Sequence, residues 1–364
     1  MKESNVKQIH DFGQSIWLDF INREIMNSGE FKRLIDEDGI RGVTSNPSIF
    51  EKAINGSKDY HKDILKYASE GKDNEEIFFS MAILDIQRAA DILKPVFEES
   101  NGADGFVSLE VSPLLARETD KTIKQAMELW KTVDRKNVMI KIPGTAEGLP
   151  AIRKCISEGV NINVTLLFGL PRYKEVVEAY LSGLEDRLKL NKSIDNIQSV
   201  ASFFLSRIDV LIDPMVQQKG LKNLNGEVAI ASAREAYQIY KNIFNGDRFE
   251  KLAKKGANRQ RVLWASTGTK DPSFSDVKYI EALIGDETVN TVPIETIDAF
   301  RDHGKAANRL EDDLDKTTKV LDQLKAAGID LDAITQSLED EGIKKFNEAY
   351  EKLLTAIETQ KKIK

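Results

Sequence analysis

The chain has 364 residues, 41% hydrophobic and 30% charged, the balance of a soluble folded protein with room for one large α/β domain or two smaller ones. Its 52 basic and 59 acidic side chains leave a net charge of −7, which argues against nucleic acid as the main partner but not against a local basic pocket for a small anion. A single cysteine, Cys155, and three scattered histidines, His10, His61 and His303, offer no disulfide and no metal-ligand spacing, so no metal site is expected and a reducing compartment is.

No segment approaches a membrane span, and residues 1–19 lack an apolar targeting core, so a cytoplasmic location without membrane contact is expected. Short apolar runs alternate with longer amphipathic segments, the pattern of repeated βα units. The first run, Ser15–Asp19, ends on a carboxylate, and Ile21, Ile25, Phe31, Leu34 and Ile35 predict one helix over about 20–38. The second run, Ile40–Thr44, ends in Ser45-Asn46-Pro47-Ser48, a polar turn opening the next helix. Helix is expected from about residue 58 to 99, with breaks near Gly71 and Pro95. The third run, Gly105–Val111, carries Glu110, and a helix over Thr119–Val133 follows. The fourth begins at Val138, has Lys141 in its middle and stops at Pro143-Gly144.

The fifth run, Val160–Thr165, is polar at Asn161, Asn163 and Thr165. The sixth, Ser199–Leu205, leads into Ser206-Arg207-Ile208-Asp209, and a helical stretch with loops covers about 213–261. Val262–Ser266 is the seventh run and Thr288–Val292 the eighth. Strand candidates in that number, with helices between them, predict an α/β fold, a single (β/α)8 barrel over residues 1–304. The charged tail, residues 305–364, has apolar positions at Leu310, Leu314, Val320, Leu321, Leu324, Ile343, Phe346, Tyr350, Leu353 and Leu354, which predict a C-terminal helical extension packed on the barrel.

Lys141 interrupts a run that otherwise reads as a strand buried on both faces. It reaches solvent at a strand end, is ion-paired, or is held for chemistry, since an unpaired buried ammonium is costly. A desolvated lysine is the usual nucleophile in Schiff-base catalysis. Barrel active sites lie at the C-terminal strand ends, where the sequence places Asp19, Asn46, Glu110, Lys141, Asn163, Thr165, Ser202, Arg207 and Ser266. Each has a plain structural reading too. Asp19 would cap a helix, Asn46 would be a turn residue, Glu110 would neutralise Lys141, Arg207 would pair with Asp209 or Asp213, and Asn163 would satisfy Thr165. Taken together, two carboxylates, a buried lysine and an amide–hydroxyl pair suit imine chemistry on a carbonyl substrate, with Ser202, Arg207 and Ser266 left for an anionic tail.

At these residues the sequence resembles the transaldolase family in its longer form. The matching motifs are Gly42-Val43-Thr44-Ser45-Asn46-Pro47-Ser48, Val107–Pro113, Met139-Ile140-Lys141-Ile142-Pro143-Gly144-Thr145, Ile162–Phe168, Ser199–Asp209, Val262–Thr269 and Asn290-Thr291-Val292-Pro293. They run in order over about Trp17 to His303.

The resemblance implies a class I aldolase barrel, a cofactor-free transferase of the pentose phosphate pathway. Such an enzyme moves a dihydroxyacetone unit from sedoheptulose 7-phosphate to glyceraldehyde 3-phosphate, giving erythrose 4-phosphate and fructose 6-phosphate. By motif position Lys141 matches the Schiff-base lysine and Asp19 the acid/base at the C4 hydroxyl. Glu110 matches the carboxylate that activates water, with Thr165 beside it. Asn46 and Asn163 match residues that hold the three-carbon unit, while Ser202, Arg207 and Ser266 match the phosphate pocket. Shorter members carry an arginine two residues after the serine matching Ser266. Here that position is Gly268, and Lys270 with backbone N–H groups would stand in. A fructose 6-phosphate aldolase-like enzyme and a non-catalytic sugar-phosphate-binding barrel are the alternatives, and the helical outer surface leaves a homodimer open.

Overall fold

A computed structural model describes residues 4–363; Met1–Glu3 and Lys364, the extreme ends of the expected barrel and tail segments, lie outside the described residues. The strands are β1 (Gln14–Leu18), β2 (Gly42–Val43), β3 (Phe106–Glu110), β4 (Val138–Pro143), β5 (Ile162–Leu167), β6 (Ser199–Phe204), β7 (Arg261–Ala265) and β8 (Thr288–Val292). They close in chain order into a parallel barrel, β8 returning to β1 with Gln14 opposite Thr288 and Leu18 opposite Val292. Helices cover the outside, giving the expected (β/α)8 fold. Burial on both faces is why β4 and β6 read as near-continuous apolar runs.

Strand register builds the centre. Glu110 on β3 pairs with Lys141 on β4, and Lys141 pairs with Asn163 on β5. Their side chains therefore leave adjacent strands at one level. The end of β5 is irregular: its register against β6 shifts between Val164 and Leu167, and Leu166 has φ +54°. Such bulges re-aim side chains beside functional sites.

Several helix boundaries differ from expectation. The predicted helix over 20–38 is two helices, Arg23–Asn27, capped by Asn22, and Glu30–Asp38. Gly29, at φ +84° in the left-handed region, turns the chain between them. Gly71 marks a break before the helix Asn74–Glu99, but Pro95 lies inside that helix without ending it. Burial of Ala89, Ala90 and Leu93 outweighs the one intrahelical bond that proline removes. The 213–261 stretch resolves into Val228–Phe244 and Asp247–Ala253, preceded by a helix, Ser206–Gln218, that begins directly after β6.

The tail folds as Leu314–Ala326 and Leu331–Gln360. Leu310, Val320, Leu324, Ile343, Phe346, Tyr350 and Leu353 are buried as expected, whereas Leu314 starts its helix facing solvent. The long helix crosses the β5 end so closely that a Cβ on Gly342 would lie 3.0 Å from Leu166 Cδ2. Arg172 pairs with Glu339 at 3.1 Å and the Tyr350 hydroxyl donates to Glu75 at 2.9 Å, fastening the helix at two further places.

Gly42 is the tightest point of β2. A Cβ there would stand 2.5 Å from Trp17 Cδ2, and the indole cannot yield because its Nε1 donates to Asp104 at 3.1 Å. Gly42→Ala should therefore cost about 1–3 kcal/mol by overpacking. Denaturant titration measures this, and an unchanged midpoint would show that Trp17 is free to move.

Candidate active site

Lys141 is 5% exposed, and its ammonium donates to the Ser45 carbonyl at 3.1 Å. Its ion-pair partner, Glu110 Oε2, lies 3.6 Å away. That separation is too long for a strong hydrogen bond. Neither Glu110 oxygen has a hydrogen-bond partner among the described residues. Burial pushes the Glu110 carboxyl up from an ordinary 4.5 to about 7, with Lys141 pulling it down and Asp19 adding to the rise. Glu110 thus sits near the point where it gives and takes a proton at neutral pH.

Asp19 directly follows β1 and accepts from Thr44 Oγ1 at 2.7 Å. It caps no helix, because Asn22 takes that place. Burial also pushes its carboxyl up, opposed by Lys141 and the Thr44 bond. Asn46 keeps its structural role, its side-chain oxygen accepting from Ile49 N at 3.0 Å to cap the helix Pro47–Gly56. The amide nitrogen of Asn46 is not used by that cap.

Asn163 and Thr165 do not satisfy each other. Asn163 donates to Ser108 Oγ at 3.0 Å and accepts from Ser202 Oγ at 2.6 Å, so two serines fix its orientation. Thr165 Oγ1 is buried without a partner among the described residues, like the Glu110 carboxylate. Ser202 departs from expectation: it is 1% exposed inside the barrel and committed to Asn163, not open to an anion.

Arg207 pairs with neither Asp209 nor Asp213. Asp209 accepts from Ala229 N and the Tyr279 hydroxyl, and Asp213 from Gly226 N. Those bonds tie the helix Ser206–Gln218 to its neighbours and leave the guanidinium without a carboxylate within ion-pair distance among the described residues. It lies 5.8 Å from the Phe204 ring centroid, half-buried, and burial lowers its pKa against the pull of Glu341. Ser266, at φ +55°, brings its hydroxyl 2.9 Å from Ser206 Oγ at the start of Ser206–Gln218. That helix has no side-chain N-cap, so its N-terminal amides, Arg207 and Ser266 together favour an anion.

Gly268 has room for a side chain, and Lys270 Nζ lies 3.9 Å from where its Cβ would stand. Lys270 is exposed and near enough to bear on Asp19. A cavity of about 550 Å³ beside it is lined by Ser206, Lys270, Asp271 and Phe274 among others. Another cavity, about 570 Å³, is elsewhere, among residues such as Gln198, Arg259, Arg261 and Glu287 at or just before the starts of strands β6 to β8. It belongs to the opposite mouth of the barrel.

Sequence reasoning assigned no role to Thr44, Ser45, Ser108 or Thr291. Ser45 acts through its backbone carbonyl, which leaves no side-chain signature. Ser108 carries one, since it alternates with Glu110 along β3 and so faces the same interior. Among the described residues no His, Cys, Asp and Glu cluster has the arrangement to hold a metal ion, and no helix is long and apolar enough to cross a membrane.

An interior lysine facing two carboxylates whose protons are held by burial, at the C-terminal end of a parallel barrel, has the makings of a Schiff-base aldolase site. The family model described as transaldolase/fructose-6-phosphate aldolase matches residues 16–357. The transaldolase of Trichodesmium erythraeum is 46% identical over 375 residues, spanning 100% of this chain and 99% of that protein. That of Saccharopolyspora erythraea is 45% identical over 359 residues, 98% of each chain, and that of Mycobacterium ulcerans 43% identical over 364 residues, 99% of this chain and 98% of its own. The chain belongs to the transaldolase/fructose-6-phosphate aldolase family.

Glu110 should leave a mark on stability. Its folded pKa of about 7 exceeds the ordinary 4.5, so within that window the folded state keeps a proton that the unfolded chain releases. Its contribution is therefore full below the unfolded value and lost as pH rises toward 7. Relative to the native protein, Glu110→Gln should gain unfolding free energy between about pH 4.5 and 7 and level off above. Denaturation at a series of pH values checks this, and a constant difference would sink it.

Proposed function

We propose that the protein is a transaldolase of the cytoplasm and the pentose phosphate pathway, moving a dihydroxyacetone unit from sedoheptulose 7-phosphate to glyceraldehyde 3-phosphate. Erythrose 4-phosphate and fructose 6-phosphate are the products. The observation that carries this reading is the buried Lys141–Glu110 pair at 3.6 Å, with Asp19 also bearing on Glu110. The three relatives compared above are each named transaldolase, which supports the choice of reaction within the family.

The catalytic cycle begins when ionised Glu110 takes the proton of the Lys141 ammonium. The neutral amine attacks the ketose carbonyl, and the carbinolamine leaves water as Glu110 returns a proton to the departing hydroxyl. Asp19 removes the C4 hydroxyl proton. The C3–C4 bond breaks and its electrons pass into the iminium, so the aldose phosphate departs and the enamine stays on Lys141. The acceptor aldehyde then forms the new C–C bond, with Asp19 protonating the nascent alkoxide. Glu110, with the Thr165 hydroxyl beside it, aims the water that hydrolyses the imine.

Asn46 and Asn163 bind the three-carbon unit. With one N–H on Ser108 and its oxygen taken by Ser202, Asn163 has a second N–H for a substrate hydroxyl. Arg207, Ser266 and the start of Ser206–Gln218 bind the phosphate, and Lys270 extends over the place left by Gly268. Ser202 acts at one remove, through Asn163. Residues 305–364 are an extension of the barrel of residues 1–304, supported by the close approach at Gly342.

Borohydride added with fructose 6-phosphate should place the reduced three-carbon adduct on Lys141, read by peptide mass. Lys141→Met should fold normally and lose transfer by about 10³-fold or more. An adduct on another residue of active protein would overturn the assignment. Transfer to an added aldose should far exceed release of free dihydroxyacetone, the reverse of what a fructose 6-phosphate aldolase would give.

Arg207→Ala should raise KM for phosphorylated sugars by roughly tenfold or more, the worth of a charge-assisted hydrogen bond. Adduct formation at saturating sugar should stay close to native. An unchanged KM moves the phosphate site away from Arg207.

A further inference from the structure

Asp19 is held by a line of hydroxyls that begins on the far side of its own strand. Strand β1 lies between β2 and β8. Thr44 follows β2 and Thr291 belongs to β8, and their hydroxyl oxygens meet at 2.6 Å. Both residues are buried, at 2% and 4% exposed. Thr44 Oγ1 is at the same time 2.7 Å from Asp19 Oδ1, to which it donates. A hydroxyl has one proton. With that of Thr44 given to the carboxylate, the contact between the threonines has one possible sense: Thr291 donates and Thr44 accepts.

The backbone around this line is fixed on every side. Asp19 N donates to the Val292 carbonyl at 2.9 Å, and Thr44 N to the Leu18 carbonyl at 2.9 Å. The Thr291 carbonyl accepts from Thr267 Oγ1 at 3.1 Å. The three side chains thus hold station without help from substrate.

We infer that Thr291 is a positioning residue of the reaction, aligning Asp19 through Thr44 so that the carboxylate presents the same oxygen to the substrate in both of its protonation states. The inference rests on the proposed role of Asp19 as the acid/base at the sugar C4 hydroxyl. While Asp19 is ionised, protons point from Thr291 to Thr44 to Asp19. Once Asp19 has taken the substrate proton on its other oxygen, Oδ1 goes on accepting from Thr44, so the line keeps its sense and the acid proton stays on the oxygen that faces the substrate. Neither the heavy atoms nor the hydroxyl protons have to move between the two states. Without the Thr291 hydroxyl, Thr44 loses the donor that commits its own proton to Asp19, and the carboxylate loses its fixed aim.

The sign of the pH effect follows. A hydroxyl donating to a carboxylate favours the ionised form, so weakening the Thr44 bond raises the pH at which Asp19 becomes a base. Other charges facing Asp19 are Lys141 on β4, Glu110 on β3, Lys270 in the loop after β7, and Glu295 on the helix Ile294–His303. None of these is altered by a change at Thr291.

The test uses Thr291→Val, which keeps the shape and removes the hydroxyl, and Thr291→Ser, which keeps the hydroxyl, with Asp19→Asn in parallel. Thr291→Val should lower kcat for transfer about three- to tenfold, the worth of one such hydrogen bond, and move the acid limb of the kcat–pH profile upward by up to about one unit. KM and borohydride trapping at Lys141 should stay native. Thr291→Ser should restore kcat and the acid limb. A native kcat and profile in Thr291→Val, or equal losses in the valine and serine variants, would overturn the inference, because a packing role does not distinguish the two by their hydroxyl. If Asp19→Asn itself retains transfer, the acid/base reading fails first and takes the inference with it.

Discussion

The buried meeting of Lys141 and Glu110 is the constraint around which the rest of the structure is arranged. Moving either charge alone into the barrel would cost several kcal/mol, and removing one partner of such a pair costs about 3–5 kcal/mol. Yet the pair is not closed tightly. At 3.6 Å, with the ammonium leaning instead on the Ser45 carbonyl, it is loose enough for the carboxyl to rise to about 7. A close bidentate pair would have locked both charges in place. The looseness keeps the proton transferable, and register alone sets it, because Glu110 and Lys141 are opposite residues on neighbouring strands.

This arrangement answers a difficulty that two carboxylates create for a nucleophilic lysine. Each negative charge favours an ammonium. Burial of Asp19 and Glu110 pushes both carboxyls toward their neutral forms, so the site is less negative than its composition suggests. Arg207, without a carboxylate within ion-pair distance among the described residues and 5.8 Å from the Phe204 ring centroid, is then not needed to offset the carboxylates and is free to meet an anion.

The barrel and most of its interior were legible in the sequence for one physical reason: buried strands tolerate few polar side chains, so each exception is visible. Asp19, Glu110, Lys141, Asn163 and Thr165 all stand out in this way. Contacts made by the main chain stayed hidden, as with the Ser45 carbonyl under Lys141. So did partnerships across the barrel: Ser202 reads as a ligand for an outside anion because nothing in its own run announces Asn163 at 2.6 Å. Helix boundaries failed where one residue's conformation decided them, at Gly29, or where packing overruled a local rule, at Pro95.

The two ends of the site are built from different materials, and this bears on how family members diverge. The imine end consists of strand residues whose positions follow from barrel closure, so a change there disturbs a packed interior. The anionic end consists of a helix start, the left-handed turn at Ser266 and an exposed lysine, all at the rim. On the proposed reading, Gly268 in place of the arginine of shorter members is tolerable there because Lys270 reaches the same space from two residues further on, and charge at a rim acts over several ångströms without exact placement. No such substitution is open to Lys141, whose reach is set by the strand it stands on. On the proposed reading, chemistry is therefore tied to the barrel's register, while recognition of the phosphate is free to move among the loops.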